Sequence, residues 1–153
     1  MPLSVADFWN TCRREHPHLA EAVPSAWAFG ATPAHADGLL SLVLSGIKTG
    51  TASSLWDYEH ADEPLPQAGE FSIILDGAGE PRAVIETTAI EIVPFDRVDA
   101  AHAHAEGEGD RTLAHWCEVH ERYWRAHSEN PRGYAADMPV VCERFRLVWV
   151  PAD

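Results

Sequence analysis

A single lysine, Lys48, stands in the most unusual segment of the chain. This segment, residues 47–55, is small and rich in hydroxyl groups, and Thr51 lies three positions after the lysine. A buried lysine can act as a base or activate a neighbouring hydroxyl. A lone lysine is also commonly a solvated residue on a turn, so the sequence leaves both interpretations open.

Acidic residues alternate with glycines in the run Glu106-Gly107-Glu108-Gly109-Asp110. The glycines permit backbone conformations that let the carboxylates converge. The run can form a flexible loop with Asp110 as a helix N-cap, or it can supply a carboxylate that relays protons with a lysine. A third interpretation, a divalent-metal site with His102 and His104, lacks a full ligand set. We therefore predict no metal.

Glu86, Trp56 and His120 are further candidates, each with an ordinary structural alternative. Glu86 lies mid-strand on an otherwise apolar face; if it points inward it needs an arginine or a ligand donor, and at a sheet edge it faces water. Trp56 can line a cleft beside Lys48, although most of the aromatic residues fit core stripes better. His120 is five positions from His115, which separates the two on a helix, so we expect His120 in the core or at its rim.

The order of the elements favours an α+β fold. Caps and helical spacing predict helices at about 4–15, from Thr32-Pro33 to Ser45-Gly46, at 98–105 and at 111–128, and alternation predicts strands at 71–75, 82–93 and 140–150. Helices precede the main strands and no βαβ rhythm appears, which indicates a mixed or antiparallel sheet that can be barrel-like.

The composition is that of one globular domain with an acidic surface. The chain has 153 residues and a net charge of −13, so a broad surface for duplex DNA is not expected. No apolar run approaches the roughly 20 residues of a membrane span, and no leader pattern is evident. Three cysteines without a CxxC motif predict buried thiols. Walker, dinucleotide-binding, nucleophile-elbow and HExxH motifs are absent, so we predict no cofactor.

Three segments together resemble the ASCH domain family. They are Ser45 to Thr51, which is similar to the family's Gly-x-Lys motif at a helix end, Ile85 to Thr88 in a strand, and His104 to Asp110. The resemblance extends from about Leu39 to Val150 and is strongest to a bacterial branch of stand-alone members. It implies a small mixed β-barrel related to PUA RNA-binding domains and flanked by helices, with residues 1–38 as a helical extension of a single domain.

The resemblance also implies a cleft with the lysine loop at its mouth. Family members are associated with RNA binding and some with ribonuclease activity, while a small bacterial relative hydrolyses the amide of acetylcytidine. That relative uses a Lys, a Thr three residues later and a Glu, which match Lys48, Thr51 and Glu108, and its second strand acid matches Glu86. Where the broader family often has Glu and Arg, this chain has Thr51 and Ser53. Loss of that arginine removes a phosphate contact and favours a nucleoside.

We therefore expect a cytoplasmic amidohydrolase of an acylated pyrimidine nucleoside, with Lys48, Thr51 and Glu108 catalytic. Substrate contacts are expected from Glu86, Ser53, Trp56 and Arg144. The alternatives are a module that binds short single-stranded RNA through Lys48, Arg144 and Arg146, and a metal-dependent ribonuclease that uses Glu106, Glu108 and Asp110. We expect no membrane partner, and the oligomeric state stays open.

Overall fold

The fold consists of five α-helices and a five-stranded sheet. The computed structural model describes residues 3–152. Its helices are α1 (Val5–Glu15), α2 (Pro33–Leu44), α3 (Leu55–Ala61), α4 (Ala100–Glu106) and α5 (Leu113–His127), and its strands are β1 (Ser25–Trp27), β2 (Gly50–Ser54), β3 (Phe71–Leu75), β4 (Pro81–Pro94) and β5 (Pro139–Trp149). Within the described range, no helix has both the length and the apolar character needed to cross a membrane.

The sheet is mixed and curls into a half-barrel. Its strand order is β1-β3-β4-β5-β2, with β1 parallel to β3 and the other neighbours antiparallel. The pairing of β4 with β5 shifts register between Val84 and Ile85 and again between Thr87 and Ala89. Such irregularities bend a strand and increase its twist, which accounts for the curl. The α+β class and the mixed, barrel-like sheet are confirmed.

Helices cover the curled sheet and bury its apolar residues. From α2, Leu39, Leu40 and Val43 pack with Ile85 and Phe145. A second cluster joins α1 to the strands, and its buried members include Phe8, Trp9, Cys12, Ile73, Val84 and Trp149. A third cluster joins α5 to the strand ends, and its buried members include Phe95, Trp116, Trp124, Met138 and Val140.

The predicted helices are present, and α1, α2 and α5 each begin with a side-chain cap; in α5 the cap is Thr112 and not Asp110. The side chains of Ser4, Thr32 and Thr112 accept hydrogen bonds from backbone N–H groups in the first turns of α1, α2 and α5. The segment 47–55, for which the sequence predicted no strand, contains β2, a half-buried strand at the edge of the sheet. At Gly50 the small residue has a steric reason: a Cβ atom there would lie 3.2 Å from the carbonyl oxygen of Glu143 and 3.3 Å from the Cβ of Ala105.

Candidate functional site

The Lys48 segment is fixed between α4 and β5 by backbone hydrogen bonds. After α2 ends, the N–H groups of Ile47 and Lys48 both donate to the carbonyl oxygen of Leu42. The N–H of Thr49 then donates to Ala105 O at 2.7 Å, and the N–H of Phe145 donates to Thr49 O at 3.0 Å. The lysine therefore leaves a backbone that is held on both sides, and its side chain has a defined starting point.

The side chain of Lys48 is buried among acceptors. The residue is 2% exposed, which excludes the solvated turn. Its Nζ donates to Gly50 O at 2.8 Å and lies 3.5 Å from a carboxylate oxygen of each of Glu106 and Glu108. Its Nζ also lies 5.4 Å from the centre of the Phe29 ring. Two carboxylates thus compensate one ammonium in a place that largely excludes water.

Glu106 is the fully buried member of this pair of carboxylates. Its Oε2 accepts hydrogen bonds from His102 Nε2 at 2.7 Å and from Trp116 Nε1 at 2.5 Å, while its Oε1 lies 3.4 Å from His120 Nε2. Burial by itself raises the pKa of this carboxyl, but the charge of His120, the histidine hydrogen bonds and Lys48 outweigh burial and hold the pKa well below its usual range. Glu106 is therefore an anion that organises the site.

His120 connects this anion to α5. Its ring stacks on Trp116 at 4.1 Å between ring centres, and Nδ1 lies 2.9 Å from the carbonyl oxygen of Trp116. Burial lowers the pKa of His120, but the charge of Glu106 and the hydrogen bond to it raise the pKa above its ordinary value. The expectation of a core or rim position holds, since the side chain is 12% exposed. The contact with Glu106 was not foreseen.

These groups open into a cleft that we call the lysine cleft. It has a volume of about 100 Å³ and is lined by Lys48, Thr51, Glu106, Glu108 and His120, with an apolar wall that includes Phe29, Leu39 and Trp124. The structure therefore places the three residues predicted to be catalytic, Lys48, Thr51 and Glu108, around one cleft. An ammonium, a carboxylate that is partly exposed and a hydroxyl are the groups that acyl transfer uses for proton movement and nucleophilic attack.

A wider cleft, the edge cleft, adjoins the lysine cleft at Thr51. It measures about 490 Å³ and is lined by residues that include Ser25 and Trp27 of β1, Thr51 and Ser53 of β2, Tyr58 of α3 and Glu143 of β5. Thr51 and Glu143 are directly paired between the antiparallel strands β2 and β5, so both side chains lie on one face of the sheet. Ser53, a predicted substrate contact, lies here.

The other three predicted substrate contacts lie outside the lysine cleft. Glu86 is bound to Arg146, with 2.6 Å between Oε1 and the guanidinium. Trp56 is covered by Arg132, whose guanidinium carbon lies 3.8 Å from the centre of the indole ring. Arg144 lines a separate cavity of about 140 Å³ on the other side of β5, beside His102 and Cys142. The structure thus does not bring these residues to Lys48.

The metal set considered from the sequence is not assembled. Asp110 instead accepts hydrogen bonds from the N–H and the hydroxyl of Thr112 at 2.9 and 2.6 Å. Ligand atoms of Glu106, Glu108 and His120 do lie within 4.8 Å of one another. The ammonium of Lys48, 3.5 Å from both carboxylates, supplies the positive charge that these anions need, so the arrangement is that of a buried ion-pair network.

Comparison with known proteins identifies the family. The sequence profile of the ASCH domain matches residues 25–149. The chain belongs to the ASCH domain family. A DUF984-family protein from Enterococcus faecalis V583, solved by crystallography, is 39% identical, covers 94% of this chain and 87% of its own, and superimposes with a TM-score of 0.86. An ASCH domain from Lactobacillus crispatus JV V101 is 23% identical, covers 93% of this chain and 92% of its own with a TM-score of 0.80, and shares the fold. No match is found among curated proteins.

Proposed function

We propose that this ASCH protein is an amidohydrolase that acts on an acylated pyrimidine nucleoside. The observation that carries the proposal is the buried Lys48, which is charge-paired with Glu106 and Glu108 in a cleft that Thr51 also lines. A protein interior tolerates an ammonium and two carboxylates at such a place only when they are mutually compensated. That arrangement is suited to proton transfer.

The proposed reaction proceeds through an acyl-enzyme. When substrate displaces water from the cleft, Lys48 passes a proton to Glu108 and becomes a neutral amine. The amine takes the proton of Thr51 as the Thr51 oxygen forms a bond to the acyl carbon. The C–N bond then breaks, and the leaving amine receives the proton from Lys48. Water then attacks the threonyl ester and gives one proton to the Lys48 amine. The ester C–O bond breaks, Lys48 returns that proton to the Thr51 oxygen, and the carboxylic acid leaves. Glu108 finally returns its proton to Lys48, which restores the starting state.

RNA binding is the alternative function that the test must separate. The predicted phosphate contacts were Lys48, Arg144 and Arg146. Lys48 is 2% exposed, and Arg146 is paired with Glu86, so two of these three cations are engaged within the protein. A binding module of this kind predicts affinity for short RNA that falls as salt concentration rises.

Hydrolysis of a panel of N-acylated cytidines, followed by chromatography of the products, tests the proposal. Thr51→Val should lower kcat by at least about 1,000-fold, because the nucleophile is lost, while Thr51→Ser should retain most of the activity. Lys48→Met should also be inactive. Thr88 is an exposed threonine on β4, so Thr88→Val is the matched control. This variant should hydrolyse the substrates with the wild-type kcat.

The outcomes distinguish three functions. Full turnover by Thr51→Val or Lys48→Met would overturn the mechanism. Absence of turnover on every substrate, together with salt-dependent binding of short single strands, would favour the RNA-binding module. RNA cleavage that a chelator abolishes would favour the metal-dependent ribonuclease.

A further inference from the structure

The edge cleft contains a buried titratable group that the proposed reaction does not use. Glu143 is 8% exposed, and its Oε1 accepts a hydrogen bond from the hydroxyl of Thr87 at 2.6 Å. This is its one hydrogen bond to a side chain within residues 3–152. Glu143 itself lines the cleft. The carboxyl group therefore has acceptor capacity that no described side chain uses and that a donor in the cleft can take up.

We propose that the edge cleft binds a planar, uncharged heteroaromatic group of the substrate and that Glu143 is the specificity-determining residue of this subsite. The inference deepens the proposed function and rests on it for the link between binding and turnover. The chemistry that Glu143 would recognise is an N–H or O–H donor on the edge of the bound group.

Size assigns the two parts of the substrate to the two clefts. The lysine cleft, at about 100 Å³, has room for a small acyl group but not for a nucleoside. The edge cleft, at about 490 Å³, falls within the range of roughly 300–1,000 Å³ that is usual for small-molecule sites. Thr51 lines both clefts, so a substrate that spans them would place its amide bond at the hydroxyl of Thr51.

The walls of the edge cleft suit a flat ring. Trp27, Tyr58 and Phe71 are half-buried and contribute aromatic surface to it. Aromatic side chains bind planar rings by stacking or by edge-to-face contact. Glu143 lies directly across from Thr51 in the pairing of β5 with β2, and paired residues have Cβ atoms about 5 Å apart. A ring held by Glu143 is therefore next to the nucleophile.

The charge of the edge cleft argues against a phosphate. Its lining contains three carboxylates, Glu63, Glu70 and Glu143, and among the described lining residues there is no Lys, Arg or His. Burial, supported by the nearby charge of Glu70, raises the pKa of the Glu143 carboxyl although the Thr87 hydrogen bond opposes the shift. A phosphate in this cleft would meet like charge with no compensating cation. We therefore expect free nucleosides to be preferred over nucleotides and RNA.

Titration of cytidine and cytidine 5′-monophosphate into the full chain, followed by calorimetry, tests the inference without requiring turnover. Cytidine should bind the wild type, and the monophosphate should bind at least about tenfold more weakly. Glu143→Gln should weaken cytidine binding by about tenfold, because a strong buried hydrogen bond is lost. Glu91→Gln, an exposed glutamate of β4 outside this cleft, is the matched control and should bind as the wild type does.

A second charge variant and the kinetics complete the test. The double variant Glu63→Gln with Glu70→Gln should reduce the difference in binding affinity between cytidine and its monophosphate. In hydrolysis, Glu143→Gln should raise KM about tenfold with little change in kcat. Cytidine binding that depends on Glu143 without any turnover would overturn the proposed function and leave the subsite standing. Equal binding of cytidine and its monophosphate, binding unaffected by Glu143→Gln, or no cytidine binding at millimolar concentration would overturn the subsite.

Discussion

Two carboxylates lie at one distance from the same ammonium and yet have different surroundings. Glu106 and Glu108 each approach Lys48 Nζ to 3.5 Å, but the side chain of Glu106 is 2% exposed and that of Glu108 is 20% exposed. A buried ion that loses its partner is strongly destabilised, whereas a more exposed ion can be solvated. Glu106 therefore holds the site together, and Glu108 is the carboxylate that can reach a ligand.

This difference predicts that the same substitution, Glu to Gln, mainly lowers stability at Glu106 and mainly lowers activity at Glu108. Glu106→Gln should lower the free energy of unfolding by roughly 3 kcal/mol, because it removes the buried anion that Lys48 and His120 share. Glu108→Gln, the matched control, should cost about 1 kcal/mol or less while it abolishes turnover. Urea denaturation and the hydrolysis assay measure the two effects. Equal destabilisation by both substitutions would contradict the assignment.

At the level of single residues, the sequence predicted which residues line the lysine cleft better than it predicted the contacts between them. Lys48 and Thr51 could be singled out because the chain has one lysine and a threonine at short spacing from it, whereas Glu108 was named from the resemblance to the ASCH family. The residue pattern by itself could not separate Glu106 from Glu108, since that depends on the turn between them. Glu106 ends α4 and faces inward with His102, one helical turn earlier, whereas Glu108 follows the left-handed Gly107.

At the level of elements, two left-handed glycines position the Lys48 segment. Gly46 follows α2 with φ +82°, and Gly107 follows α4 with φ +75°. A Cβ atom at Gly46 would meet nothing within 4 Å, whereas one at Gly107 would lie 2.9 Å from the carbonyl oxygen of Ile47. The first glycine thus serves the backbone conformation alone, and the second also allows α4 to approach the residue before Lys48.

Alanine substitutions separate these two contributions. Gly46→Ala should lower the free energy of unfolding by about 1 kcal/mol, the usual cost of a left-handed alanine. Gly107→Ala should cost at least about 1 kcal/mol more, because the backbone of Ile47 must shift, and it should also reduce turnover. Urea denaturation of both variants measures the difference. Similar costs, with turnover retained in Gly107→Ala, would show that the close approach to Ile47 is unimportant.

The elements that the sequence missed are those with the weakest local signals. β1 has three residues and pairs with β3. β2 is a five-residue edge strand of small residues, and α3 has no fully buried residue and no side-chain cap. The elements that it did predict have caps or strong periodicity, as in α5, where Thr112 accepts a hydrogen bond from the N–H of His115. The edge cleft could not be foreseen, since it is built from residues of β1, β2, α3 and β5 that only the sheet topology brings together.

At the level of the whole molecule, the titration of buried groups sets the dependence of stability on pH. The pKa of Glu106 is lowered, so its contribution is present above its ordinary value of 4.5 and is lost as pH falls through the folded pKa. The pKa of His120 is raised, so its contribution is complete below its ordinary value of 6.5 and is lost as pH rises through the folded pKa. Self-repulsion of a chain with net charge −13 acts in the same direction at high pH.

We therefore expect the free energy of unfolding to be greatest in mildly acidic solution and to fall steadily from about pH 6 to pH 9. Urea denaturation across this range measures the slope. His120→Gln removes one of the titrating groups and should flatten the curve. A free energy that increases with pH in the wild type would contradict the charge network described for Glu106 and His120.

The half-barrel does not close, and its two edge strands, β1 and β2, both contribute to the wall of the edge cleft. Unpaired strand edges are templates for aggregation and domain swapping. A ligand bound beside both edges would shield them from other chains, so binding in the cleft should also reduce aggregation of the protein. The same ligand would slow amide hydrogen exchange in β1 and β2, two strands far apart in the sequence, as if they were one unit.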